Sequence, residues 1–90
     1  MRVTLKIFPP FTDSLHTVER TYTLPGSPPG LIEVLRIAQS EGLLDSDKVI
    51  DENGEVREGA VILVNGRAVF SANCKLRSGR VVVMPLAPGG

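Results

Sequence analysis

Residues 31–40 form the one segment of the chain with the apolar spacing of an amphipathic helix. The apolar positions at i, i+3, i+4 and i+7 make a single stripe, which consists of Leu31, Val34, Leu35 and Ala38. Gly42 is placed to end this helix, whereas no strong N-cap residue precedes it. A stripe of this width can cover one face of a small sheet, so the pattern favours a fold of one helix on one sheet.

Two strands are predicted before the helix. Val3, Leu5 and Ile7 alternate with polar residues, which is typical of a half-buried strand. Pro9-Pro10 ends this strand, because proline has no N–H to donate to a neighbouring strand. A second strand fits residues 18–24, although Arg20 interrupts its apolar face. The two strands are expected to form a hairpin with a long loop.

Two continuously apolar runs, residues 61–64 and 81–84, follow the helix. Such runs predict central strands that are covered on both faces. Asn53-Gly54 carries a hairpin signal before the first run, and Asn65-Gly66 turns that run towards a short strand at residues 69–70. Residues 76–80 are expected to form a loop.

The order of these elements predicts an α+β fold. A right-handed crossing through the helix would place the last strand parallel to the first. The result is a ubiquitin-like β-grasp fold, a mixed sheet of about five strands with one main helix packed on one face. Residues 1–85 are expected to form this domain and residues 86–90 a flexible tail.

The composition limits where the protein works and what it binds. The chain has one cysteine, no signal-peptide core at its start, and no apolar run near the roughly 20 residues of a membrane span. A reducing cytoplasm is therefore expected, with no membrane partner. Three Phe, one Tyr and no Trp offer little stacking surface for nucleic acid.

The charges are unevenly distributed along the chain, although the net charge is zero. Residues 41–60 carry seven acidic and two basic residues, whereas residues 61–90 carry four basic residues and no acidic one. The tail is therefore expected to leave from a basic region that guides it to an acidic partner. The alternative is an ordinary solvated surface.

Residues for catalysis or metal binding are scarce. His16 is the only histidine and falls in an expected loop, and Cys74 lies near two basic residues, which would favour a reactive thiol. Loop polarity and a plain small residue are the simpler interpretations of these two positions. The carboxylates of residues 41–60 lack the spacing of a calcium loop, and no phosphate-binding loop is present. We therefore expect no metal, no bound cofactor and no enzymatic activity.

The last residues carry the remaining chemistry. Pro85 and Pro88 prevent a helix, so this segment is expected to extend away from the domain. Gly89-Gly90 has no side-chain bulk and could enter a narrow channel in a partner. A terminal carboxylate is ionised at neutral pH, and it becomes a useful acyl donor only after activation.

Several motifs together resemble the sulfur-carrier β-grasp proteins. They are Val64-Asn65-Gly66-Arg67, Leu76-x-x-Gly79, Pro85 and Gly89-Gly90, in that order. This family includes the small subunit of molybdopterin synthase, the sulfur carrier of thiamine biosynthesis and the archaeal small ubiquitin-like modifiers. The acidic segment 51–59 is similar to the molybdopterin and archaeal branch. The chain departs from the family at Arg80, where aspartate is common, and at Pro88, where a small residue is usual.

The resemblance implies a sulfur carrier that serves as a protein cosubstrate. A ubiquitin-activating-type adenylyltransferase would use ATP to adenylate the carboxylate of Gly90, and a persulfide would displace AMP to leave a thiocarboxylate. A sulfur-accepting synthase subunit would then take the sulfur. Molybdopterin is the favoured acceptor, with thiamine thiazole and tRNA as alternatives. Gly89 would let the tip pass the partner's constriction, and Pro88 would affect how it enters.

The partner surface is expected on an apolar face of the sheet beside the tail. Besides Pro88 and Gly89, the residues assigned to it are Phe70, Leu86 and Val69, with Arg67 and Arg80 at the rim. The alternative places Phe70 in the core.

Two rival functions use the same fold. A protein modifier would be joined through Gly90 to lysines of its targets. A passive binding module would be indifferent to the loss of its last two residues.

Overall fold

The structure is a computed structural model that describes residues 1–24, 28–77 and 79–86. Within these ranges the elements in chain order are β1 (Arg2–Ile7), β2 (Val18–Thr23), α1 (Leu31–Ser40), a 3₁₀ turn (Ser46–Lys48), β3 (Ala60–Val64), β4 (Arg67–Val69) and β5 (Gly79–Pro85). The helix α1 has ten residues, and no helix in this part of the chain is long and apolar enough to cross a membrane.

These five strands form one mixed sheet in the order β2-β1-β5-β3-β4. The central strand β5 runs parallel to β1 and antiparallel to β3. The outer pairs, β1 with β2 and β3 with β4, are antiparallel. The N-terminal hairpin and the parallel pairing of the first and last strands confirm the sequence prediction.

The apolar stripe of α1 packs on one face of this sheet. All four predicted stripe residues are 0% exposed, which confirms both the helix and its buried side. The same core cluster contains the inward side chains of three strands, namely Val3, Leu5, Ile7, Ile62, Val81 and Val83. As expected, Gly30 caps the start of α1 without a side-chain hydrogen bond, and Gly42 follows its end with a φ of 75°.

Tyr22 connects the edge strand β2 to the C-terminal end of α1. Its hydroxyl donates a hydrogen bond to Glu41 Oε1 at 2.5 Å. Partial burial, followed by this hydrogen bond to Glu41, raises the pKa of Tyr22 to about 12. The contact therefore joins the outer edge of the sheet to the helix.

The predicted burial of both apolar strands on two faces is wrong. Strands β3 and β5 are interior strands of the sheet, as predicted, but the buried residues are Val81 and Val83 in β5 and Ile62 alone in β3. Ile62 is fully buried, whereas its neighbours Val61 and Leu63 remain partly exposed. The reason is that α1 packs on one face of the sheet, whereas these two strands carry apolar side chains on both faces.

Three element boundaries also differ from the prediction. The Asn53-Gly54 turn forms, but it connects a single bridge between Ile50 and Val56 instead of two strands. The return strand β4 covers Arg67–Val69, so Phe70 follows it. Strand β5 already begins at Gly79, inside the predicted loop, because pairing with β1 extends that far.

Candidate functional site

We call the side of the sheet opposite α1 the open face. Its residues follow from the strand alternation, since Val3, Leu5 and Ile7 of β1 point into the core. The intervening Thr4 therefore lies on the open face, where its Oγ1 is 3.0 Å from Thr21 Oγ1 of β2. By the same pairing register the open face of β5, β3 and β4 consists of Val61, Leu63, Ala68, Arg80, Val82 and Met84.

An apolar groove lies at one end of the open face, beside the C-terminal end of β5. Its volume is about 360 Å³. The lining is mostly apolar and is made by Val56, Gly59, Ala60, Val61, Ala68, Val69, Phe70 and Leu86, with Arg57 and Glu58 also at its border. A concave apolar surface of this size can hold one or two apolar side chains of a partner.

Phe70 and Leu86 are the exposed large apolar residues of this groove. Phe70 is 81% exposed and Leu86 is 60% exposed. The alternative that placed Phe70 in the core is therefore wrong. Val69, by contrast, packs partly against the core, because it alternates with Phe70 and points to the other side. The structure thus brings Phe70 and Leu86 together in one groove.

Leu86 is still attached to the domain at the point where the described chain ends. Its N–H donates a hydrogen bond to the carbonyl of Gly59 at 2.9 Å. The predicted tail covers residues 86–90, and only its first residue falls within the described ranges. The assignments made to Pro88, Gly89 and Gly90 lie outside the described residues.

Neither Arg67 nor Arg80 lines this groove. Arg80 lies near the start of β5 and Leu86 follows its end, so six residues with a rise of about 3.3 Å each put roughly 20 Å between them. Arg67 pairs with Val64, which points towards the core, so Arg67 is on the side of α1. Both residues are close to the tail in sequence but lie at the other end of the sheet.

Asn65 connects the turn between β3 and β4 to the start of β5, at the end of the sheet away from the groove. Its N–H donates to the carbonyl of Arg80 at 2.8 Å, and its Oδ1 accepts from the N–H of Arg80 at 2.9 Å. Asn65 and Gly66 both have positive φ, 51° and 83°, as a two-residue type I′ hairpin requires. Gly79 has a φ of 143°, and a Cβ there would overlap the Asn65 side chain. The motif residues Asn65, Gly66 and Gly79 are therefore one structural unit.

Arg80 also makes an ion pair that sequence reasoning missed. Its Nη2 lies 2.9 Å from Glu19 Oε1 of β2, across the intervening strand β1. Both side chains are substantially exposed, so this pair contributes little to stability. No sequence signal indicated the pair, because Glu19 and Arg80 are 61 residues apart.

His16 and Cys74 occupy ordinary structural positions. The main-chain N–H of His16 donates to Ser14 Oγ at 3.0 Å, which is the geometry of a polar loop turn. Cys74 is half-buried against the core, and its carbonyl accepts the N–H of Leu31 at the start of α1. These contacts fit the simpler interpretations of both residues.

The chain matches no protein-family model, and no curated protein sequence matches it significantly. Among solved structures it is similar to the crystal structure of SAMP1 from Haloferax volcanii. The two share a TM-score of 0.63 and 20% sequence identity, over 100% of each chain. This similarity shows the fold, which is the ubiquitin-like β-grasp that the element order predicted.

Proposed function

We propose that the protein is a sulfur carrier that is adenylated and then thiocarboxylated at Gly90, and that it donates this sulfur in the biosynthesis of a cofactor. The observation that supports the proposal most directly is the groove formed by Phe70 and Leu86. It lies at the end of β5 from which the chain continues towards Gly89-Gly90. A partner that binds this groove would also be positioned to receive those residues.

The chemistry belongs to the partner enzyme, and this chain contributes the acyl group. A carboxylate oxygen of Gly90 attacks the α-phosphorus of ATP and releases pyrophosphate, which gives an acyl-adenylate. The terminal sulfur of a persulfide then attacks the acyl carbon and displaces AMP. A thiol cleaves the resulting acyl disulfide and leaves the thiocarboxylate. Adenylation is required because a free carboxylate is a poor acyl donor.

The domain's part is to present these residues and to hold the partner. The exposed aromatic ring of Phe70 and the exposed Leu86 can be buried by apolar side chains of an adenylyltransferase and later of a synthase subunit. Molybdopterin is the acceptor we favour. The acidic segment 51–59, which precedes β3, resembles the molybdopterin and archaeal branch of the sulfur carriers.

Intact mass spectrometry tests this proposal. The protein is co-expressed with the ubiquitin-activating-type enzyme of the same organism, and the wild type is compared with a variant that lacks Gly90. We expect the wild type to gain the mass difference between sulfur and oxygen on its last peptide, and the deletion variant to gain nothing. Circular dichroism of both proteins shows whether the deletion leaves the fold intact. Equal loading of the two proteins would contradict the proposal.

A ubiquitin-like modifier is the second candidate, since the ubiquitin-like fold and Gly89-Gly90 suit conjugation as well as sulfur transfer. In this case the adenylated Gly90 would form an isopeptide bond with a lysine of a target. The same co-expressed sample distinguishes the two functions. Conjugates on a denaturing gel that disappear when Gly90 is deleted favour the modifier, whereas a free thiocarboxylate favours the sulfur carrier.

A further inference from the structure

The part of the open face away from the groove, along β1 and the start of β5, carries charged side chains. Arg2 and Lys6 alternate with the buried residues of β1, so they lie on the open face, as Thr4 does. Arg80 lies beside Thr4 in the parallel pair, on the same side. The hydrogen bond between Thr4 and Thr21 shows that Thr21 of β2 lies on this side as well.

The charge on this face is positive. Among the described strand residues that point to it, three are cations and one, Glu19, is a carboxylate. The net charge of these side chains is therefore +2, and since the whole chain has a net charge of zero, the rest of it carries −2. Several of the acidic residues lie beside α1, where Asp47, Asp51 and Glu52 line a cavity with the helix.

Lys6 links the charged half to the apolar half. Its Nζ is 5.5 Å from the centre of the Phe8 ring, a distance that allows a cation–π contact. Its register partner on β5 is Val82, which belongs to the apolar part of the open face. We call Arg2, Lys6 and Arg80 the positive strip. This strip and the groove therefore form one continuous surface across β1, β5 and β3.

We infer that Arg2, Lys6 and Arg80 form the electrostatic half of the docking surface whose apolar half is the Phe70 groove, and that its occupant is a protein with an acidic surface around an apolar centre. This inference rests on the proposed function, in which the occupant is the adenylyltransferase. Charge complementarity carries it, because a face of net charge +2 attracts a negative surface. When the open face approaches this partner, the acidic side of the molecule points away from the partner.

Such a strip acts mainly on the rate of association. Exposed charges attract a partner over about a Debye length, near 10 Å at 0.1 M salt, and contribute little once the complex has formed. A protein partner suits this surface better than nucleic acid, since half of it is an apolar groove and its net charge is small.

The test measures the association rate constant with the adenylyltransferase of the same organism by stopped-flow fluorescence. Lys6→Glu changes the face from +2 to zero, and we expect association to slow about tenfold at low salt. Glu19→Gln frees Arg80 and should accelerate association about twofold. In about 0.5 M salt both differences should disappear.

Matched variants on α1 control for net charge alone. Arg36→Glu and Glu33→Gln make the same two charge changes at exposed positions on the helix side. They should change the association rate much less. Equal effects of Lys6→Glu and Arg36→Glu would overturn the inference, as would tight, salt-dependent binding of a single-stranded RNA probe that Lys6→Glu removes.

The outcome is separable from that of the proposed function. Thiocarboxylate formation on the wild type, measured by mass after a long incubation, reports on the proposed function alone. If the wild type is loaded and Lys6→Glu associates as fast as the wild type, only the docking inference fails. If the wild type neither binds the enzyme nor is loaded, both fail.

Discussion

The two faces of the sheet are built from the same strands but have different roles. On β3, Ile62 points towards α1 and is fully buried, whereas the adjacent Leu63 points to the open face and remains partly exposed. On the helix side apolar side chains pack in a core that includes Leu35 and Val83. On the open face apolar side chains of the same strands meet solvent and, at Phe70 and Leu86, are largely uncovered.

This difference separates stability from recognition. Burial of a large aliphatic side chain contributes roughly 1.5–3 kcal/mol to folding. The face of the sheet on which α1 packs, which we call the covered face, therefore supports the fold. An exposed apolar residue contributes little to folding, and its burial becomes available when a partner binds. An apolar residue in a strand of this protein can therefore serve folding or recognition, depending on which face of the sheet its side chain is on.

The largest expected effect comes from the covered face. Ile62→Ala should lower the free energy of unfolding by about 2–5 kcal/mol, because it removes a fully buried side chain and leaves a cavity. Leu63→Ala, one residue away on the open face, should cost less than about 1 kcal/mol. Urea denaturation followed by circular dichroism measures both. Equal losses would show that the open face is as tightly packed as the core.

Phe70→Ala should leave stability almost unchanged and weaken partner binding instead. Its ring is 81% exposed, so the free energy of unfolding should change by less than about 0.5 kcal/mol. Loss of an apolar anchor should weaken the complex with the adenylyltransferase by about tenfold in Kd, which corresponds to about 1.4 kcal/mol. Isothermal titration calorimetry measures the affinity.

Leu15→Ala is the matched control for this prediction. Leu15 is 91% exposed but lies in the loop between β1 and β2, outside the groove. Leu15→Ala removes an exposed apolar side chain, as Phe70→Ala does, but leaves the groove unchanged. If both variants bound as the wild type does, the groove would have no part in docking.

The smallest effect concerns Tyr22, which lies on the helix side of the edge strand. As the single tyrosine, it can be titrated directly by its absorbance. We expect a midpoint at about pH 12 in the folded protein, raised from the ordinary 10.0 by burial and by Glu41. Since the folded pKa is the higher one, the stability from this contact is complete below about pH 10 and is lost as the pH rises towards 12.

Glu41→Gln provides the control for Tyr22. It removes the carboxylate and its charge, so the midpoint of Tyr22 should move down towards its ordinary value, with burial still holding it higher. Tyr22→Phe should abolish the loss of stability between pH 10 and 12 in urea melts. A wild-type midpoint near 10 would mean that neither the burial of Tyr22 nor its hydrogen bond to Glu41 persists in solution.

Local patterns predicted most of the elements but not where the charged side chains lie. The spacing of Leu31, Val34, Leu35 and Ala38 was sufficient for the helix, and the alternation in β1 was sufficient for its buried side. Phe70 and Leu86 lie together in the groove. Arg67 and Arg80 do not line it, because nearness along the chain is not nearness in space, and strand β5 carries the chain about 20 Å away from Arg80.

The order of strands and helix was determined by the sequence alone, because side-chain periodicity and turn residues act over a few neighbouring positions. Tertiary structure decided which side of the apolar strands remained open, since one helix can cover one face only. It also decided the pairing of Glu19 with Arg80 and the contact that makes Gly79 necessary beside Asn65. These depend on strand register between distant segments, which no local pattern specifies.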